Sequence, residues 1–189
     1  LVQSELDGRR SDLDFASGSI LHLHIQGPPG VGKTRFALEL CRGAEWRGAV
    51  IYIRQASDVR LGELIDGAAS DHGVQLMVVA DEVQPDQLRP MRDSVGRANG
   101  RVRLITVGHS SSPDPIRIPS LQVKPLDRDL MAGVITGWFP AMPREHVDFI
   151  VHFAAGYVRL ARLAADAVAR GTITDVRGLL GHDEIRGFL

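Results

Sequence analysis

The chain has 189 residues, 44% of them hydrophobic, enough for a proper core in one domain or a domain with a small appendage. A formal net charge of −1 leaves no global field toward nucleic acid or an anionic membrane, and no apolar run nears the ~18 residues of a membrane span. A single cysteine, Cys41, excludes an internal disulfide and fits a reducing cytoplasm.

Residues 1–19 open on Leu, as a piece cut from a longer chain would, and are polar, rich in Ser, Asp and Gly. They read as a loose lead-in or one short helix. In residues 20–26 (ILHLHIQ) the apolar Ile20, Leu21, Leu23 and Ile25 interleave with His22 and His24, which predicts a strand. The two histidines are expected to be packed or edge residues, since no Cys/His spacing suggests zinc. A loop, GPPGVGKT, then opens a helix carrying Phe36, Ala37, Leu40 and Cys41 at helical spacing. Residues 49–53 (AVIYI) form a continuous apolar run of the kind buried in parallel sheets. Leu61, Leu64, Ile65 and Ala68 mark a second helix, and residues 74–80 (VQLMVVA) a third strand that ends at Asp81 and Glu82. Leu88, Met91 and Val95 make a helical stripe closing at Gly96 or Gly100. Residues 102–107 (VRLITV) are a fourth strand running into GHSSSPDP, and 121–123 a short fifth.

From Asp127 the pattern is helical only: 128–139, 144–155, 158–170 and a weaker 174–180, punctuated by Pro140, Pro143, Gly156 and Gly171. Alternating strands and helices predict a three-layer α/β fold with a parallel five-stranded sheet over residues 20–126. The lead-in 1–19 precedes it, and a small all-helical subdomain, 127–189, follows.

Gly27, Pro28, Pro29, Gly30, Val31, Gly32, Lys33 and Thr34 fit the phosphate-loop pattern G-x-x-x-x-G-K-[ST]. A triphosphate needs backbone N–H groups converging on it, and glycines let the chain wrap closely enough to offer them. The helix that follows adds its positive N-terminal end. Lys33, one of only two lysines beside 20 arginines, is spaced to reach the β- and γ-phosphates, and Thr34 to ligate Mg²⁺. Arg35, next on the helix, completes the predicted binding set. The second element is the apolar run from Leu76 to Ala80 followed by Asp81-Glu82, the shape of a Walker B strand. A buried strand delivers Asp81 rigidly to the metal shell, and Glu82 is placed to polarise an attacking water. An acid pair after a strand can also simply cap the next helix. ATP with Mg²⁺ is the predicted ligand, and hydrolysis the predicted reaction.

The order of phosphate-loop strand, second strand, strand ending in Asp-Glu and then VRLITVGHS resembles the AAA+ ATPases and their relatives, the STAND signalling ATPases. The similarity spans about residues 20–170. It implies a first sensor of nucleotide at His109, with Thr106 and Ser110 as alternates, although these families usually use Asn, Thr or Ser there. AGYVRLA, from Ala155 to Ala161, is similar to the G-x-x-R start of the AAA+ lid helix. That resemblance makes Arg159 a second sensor and leans toward AAA+ over STAND. LQVKPL, residues 121–126, resembles the hinge of both groups. The resemblance further implies self-association through the core, a protein client or signal, and an arginine finger, for which Arg92, Arg97, Arg101 and Arg117 are in range. A STAND-type regulatory switch with slow turnover, an ATPase loader acting on nucleic acid and a small-molecule kinase are the rival readings.

Overall fold

Strand runs and helical stripes condense into one layered sheet because both faces of the central strands carry apolar side chains. The computed structural model describes residues 7, 12–14, 18–42, 50–56, 60–70, 74–109 and 118–172. Among them β1 (His22–Gln26), β2 (Val50–Ile53), β3 (Leu76–Ala80), β4 (Val102–Gly108) and β5 (Ser120–Gln122) form a sheet in the order β2-β3-β4-β1-β5. Every pairing is parallel. On one face Leu23, Ile25, Met77, Val79, Ile105 and Val107 pack against Ala37 and Leu40 of α1 (Lys33–Leu40). On the other, Val78, Ala80, Val102 and Leu104 meet α2 (Leu61–Ser70) and α3 (Pro85–Arg97) through Ile65, Leu88, Met91 and Val95. The fold is therefore a three-layer α/β sandwich around a five-stranded parallel sheet. Double burial is also why β3 reads as an unbroken apolar run.

The second strand corrects one expectation. Its apolar run predicts full burial, yet Val50, Ile51 and Tyr52 are 36%, 37% and 40% exposed. Among the described residues β2 lies at one edge of the sheet and pairs with β3 alone. A run rich in β-branched residues suits an edge strand as well as a central one, and only the sheet order separates the two.

Within the lead-in, Leu13, Asp14 and Gly18 are tied to the core. Leu13 is 1% exposed within the α1-side core. Arg103 of β4, buried, donates from Nε to Leu13 O (3.2 Å) and from its terminal nitrogens to Gly100 O, Asp14 O and Gly18 O (3.0, 3.1 and 3.3 Å). Burial lowers the Arg103 pKa, and the Asp14 carboxylate opposes that shift. His22 and His24 are buried, with His22 Nε2 and His24 Nδ1 each 2.9 Å from the hydroxyl of Thr106. One hydroxyl carries one proton, so it can donate to only one of the two rings.

The chain divides into two compact units, 1–28 with 33–123, and 29–32 with 124–189. In the second, α4 (Arg128–Trp138), α5 (Arg144–Ala154) and α6 (Val158–Ala169) close around Met131, Ile135, Ile150, Ala154, Leu160 and Ala164. Asp127 Oδ1 accepts from Leu130 N–H (2.8 Å) and so caps α4. The turn between α5 and α6 needs glycine at 156. Gly156 has φ 90°, and a Cβ there would lie 2.6 Å from both Leu126 O and Pro125 Cβ. Leu126 N–H donates to Gly156 O (3.0 Å), so the turn is fastened to residues 125–126. The predicted helix over 174–180 lies outside the described residues. No described helix is long and apolar enough to cross a membrane.

Candidate functional site

Sheet order decides which residues can meet. β4 lies between β1 and β3, and all three are parallel. Their carboxyl ends therefore sit side by side at one edge of the sheet, where open α/β sheets bind ligands. β1 delivers the loop at Gly27, β3 delivers Asp81, and β4 delivers His109.

Side-chain alternation does the rest. Met77 and Val79 face α1, so Asp81, two residues further on, points to the same side. Thr34 is the second residue of α1. Its Oγ1 donates to Asp81 Oδ2 at 2.7 Å. Tyr52 donates its hydroxyl to the same oxygen at 2.9 Å, and Glu82 N–H donates to Asp81 Oδ1 at 2.9 Å. Burial, helped by the hydrogen bond to Asp81 and its charge, raises the Tyr52 pKa to about 12.

The loop takes backbone angles that suit glycine: Gly27, Gly30 and Gly32 have φ of 151°, 78° and 102°. Lys33 is buried, and its ammonium donates to Gly27 O and Pro28 O (each 2.9 Å) and to His109 Nδ1 (3.3 Å). Burial pulls the Lys33 pKa below its ordinary value, and the Asp81 carboxylate partly offsets this. An ammonium has no acceptor, so His109 Nδ1 must be the acceptor and its ring proton sits on Nε2. His109 itself is exposed. Val31 is buried, whereas Pro29 is exposed.

Glu82 is held in the left-handed region, φ 55°, a conformation that costs a residue with a Cβ about 1–2 kcal/mol. The surrounding backbone imposes it. Asp81 N–H donates to Ile53 O (2.9 Å) and Val83 N–H to Val107 O (3.0 Å), so the chain crosses from the end of β2 to the end of β4 within three residues. The Glu82 side chain is left exposed. The acid pair does not cap the next helix: Gln84 N–H donates to Gln87 Oε1 (2.9 Å) at the start of α3, with Pro85 first in the helix.

The other expected residues are placed as follows. Arg35 is exposed and pairs with Glu39 one turn along α1 (2.6 Å), because each helical step rotates the side chain about 100° and carries position 35 to the outer face. Thr106 is fully buried, with its hydroxyl between two imidazoles. Ser110 and Arg117 lie outside the described residues. Arg97 is engaged by Asp66 (3.2 Å) and Ser94 Oγ (2.9 Å) on its own surface, Arg92 is exposed on α3, and Arg101 is half-buried before β4. In the second unit, Arg159 is the second residue of α6; its backbone N–H donates to Gly30 O (3.0 Å), and its side chain is exposed. Tyr52 is the site residue missed by sequence reasoning. Its only signal was a tyrosine inside an otherwise aliphatic strand.

The donor set at Asp81 and Thr34 is hard oxygen. Among the described residues there is no cluster of three or more His, Cys, Asp or Glu side chains that could cage a metal. Hard oxygens such as these fit magnesium, which takes one or two protein oxygens and fills its octahedron with phosphates and waters.

No family model and no curated protein matches this sequence. Among solved structures, one that matches is PCH-2 of C. elegans, an AAA+ ATPase, with a TM-score of 0.61 and 13% identity. The match covers 88% of this chain and 60% of that one, so this chain spans less than two thirds of its length. The likeness shows a fold shared with that protein. Fold alone selects neither reaction nor partner.

Proposed function

We propose that the chain is an AAA+-like module that binds ATP with Mg²⁺ at residues 27–34 and hydrolyses it. The observation that carries this reading is the 2.7 Å bond between Thr34 and Asp81 at the head of a glycine-rich loop. Backbone N–H groups of the loop and the start of α1 cradle the phosphates. Lys33 exchanges a loop carbonyl for a phosphate oxygen, a stronger acceptor because it is charged. Thr34 and Asp81 would hold magnesium, which would neutralise charge on the phosphates. Glu82 accepts a proton from the water whose oxygen forms the new bond to the γ-phosphorus as the bond to ADP breaks. His109 offers its Nε2 proton as a hydrogen-bond donor near that phosphate. The module is taken to self-associate through its core and to serve a protein client from the cytoplasm.

Calorimetric titration tests the binding. ATP with Mg²⁺ is expected to saturate one site, and EDTA to weaken it about tenfold or more, as loss of a contact to charge would. No saturable binding with the metal present would end this reading.

Arg159 is assigned to report the γ-phosphate, since a long, permanently charged side chain in the first turn of α6 suits phosphate oxygens. Arg159→Ala is expected to weaken discrimination between ATP and ADP and to slow hydrolysis. Arg170→Ala, about 16 Å further along at 1.5 Å per residue, is expected to leave both unchanged. Arg162 is a poorer control: its guanidinium stacks over Trp138 and Phe139 (5.0 and 5.1 Å to the ring centres) and pairs with Asp166. The measurement is the ratio of ATP to ADP dissociation constants. Equal ratios in wild type and both variants would remove α6 from the site.

A further inference from the structure

Tyr52 does something that packing does not explain. It stands on the edge strand and is 40% exposed, where its hydroxyl would be satisfied by water. Instead it donates to Asp81 Oδ2 at 2.9 Å. The register makes this reach possible. Tyr52 pairs with Val79 and Ile53 with Ala80, so Tyr52 shares a sheet face with Val79 and with Asp81. The ring is long enough to carry the hydroxyl past one residue to the carboxylate.

Counting acceptors gives the consequence. A carboxylate offers about four lone-pair positions. Thr34 and Tyr52 occupy both on Oδ2, and Glu82 N–H occupies one on Oδ1. Among the described residues no other group occupies the remaining position, on Oδ1. Thr34 alone would leave the carboxylate a second acceptor position on Oδ2 and more freedom to turn.

We infer that Tyr52 is a positioning residue for the metal: with Thr34 it fills Asp81 Oδ2, so that Asp81 presents Oδ1 alone, in one orientation, to the magnesium shell. This rests on the reading of Asp81 proposed above. Magnesium demands near-ideal octahedral geometry, so a carboxylate free to turn holds its shell less well.

The test is Tyr52→Phe in the full chain, which keeps the ring and removes only the hydroxyl. Metal binding is read by electron paramagnetic resonance of Mn²⁺, and by thermal shift with Mg²⁺, at saturating AMP-PNP. The half-saturating metal concentration is expected to rise about tenfold, the size of one lost hydrogen bond to a charged group. Nucleotide affinity in EDTA is expected to stay at the wild-type value. In an Asp81→Asn background the same change is expected to have no further effect on metal binding. Unchanged or tighter metal binding in Tyr52→Phe overturns the inference. So does an equal effect in the Asp81→Asn background, which would make Tyr52 a structural residue. If Asp81→Asn by itself leaves metal binding at wild-type strength, the reading of Asp81 has failed, and the role of Tyr52 falls with it.

Discussion

Lys33→Ala is expected to weaken ATP binding by about 10²- to 10³-fold, the loss of one or two charge-assisted hydrogen bonds to phosphate. Lys33 is the only cation within residues 27–34. Its ammonium is buried and already bonded to two loop carbonyls and to His109. Burial disfavours the charge, as the lowered pKa records, so the fold maintains that cation at a cost. An incoming phosphate relieves this cost, because a full negative charge is a better partner than a carbonyl dipole. Alanine leaves the glycine cradle and the end of α1 in place but removes the point charge they focus. The variant should still melt cooperatively, since the core cluster behind the loop is built from Leu23, Ile25, Ala37 and Leu40 rather than from Lys33. Calorimetric titration with ATP and Mg²⁺ measures the loss. Wild-type affinity in the folded variant would falsify the assignment of residues 27–34 as the phosphate site.

Glu82→Gln is expected to bind ATP normally and to hydrolyse it about 10²- to 10⁴-fold more slowly, the usual cost of losing a positioned base. The substitution suits this position for a structural reason. Glu82 sits at φ 55°, and glutamine bears the same left-handed strain, so the comparison isolates the carboxylate. Its backbone N–H still donates to Asp81 Oδ1, which keeps the metal side of the site as it was. Only the ability to take a proton is removed. Single-turnover phosphate release, with binding measured in parallel, separates the two effects. A Glu82→Gln enzyme with full turnover beside an inert Asp81→Asn would reverse the division of roles between the two acids.

What the sequence determined by itself was local. Eight contiguous residues specify the loop, because glycine spacing and the Lys-Thr pair act over one turn of chain. Runs of β-branched and leucine side chains announced the strands, and the punctuation by Gly and Pro placed the helices to within a residue or two: Arg128–Trp138 for a predicted 128–139, Val158–Ala169 for 158–170. Gly156 was marked as a helix end, though not as the one residue able to lie against Pro125 and Leu126. What depended on partners distant in sequence was left to the tertiary structure. β2 proved to be an edge, Arg103 a buried clamp on the lead-in, Arg35 a solvent-facing ion pair and Tyr52 a ligand of Asp81. Each of these turns on which strands are neighbours and in what register. A strand's own residues report its period and its apolarity, but a one-residue slip against its neighbour carries every side chain to the other face. Tyr52 meets Asp81 only because β2 pairs with β3 in this register, although the two residues stand 29 positions apart in sequence.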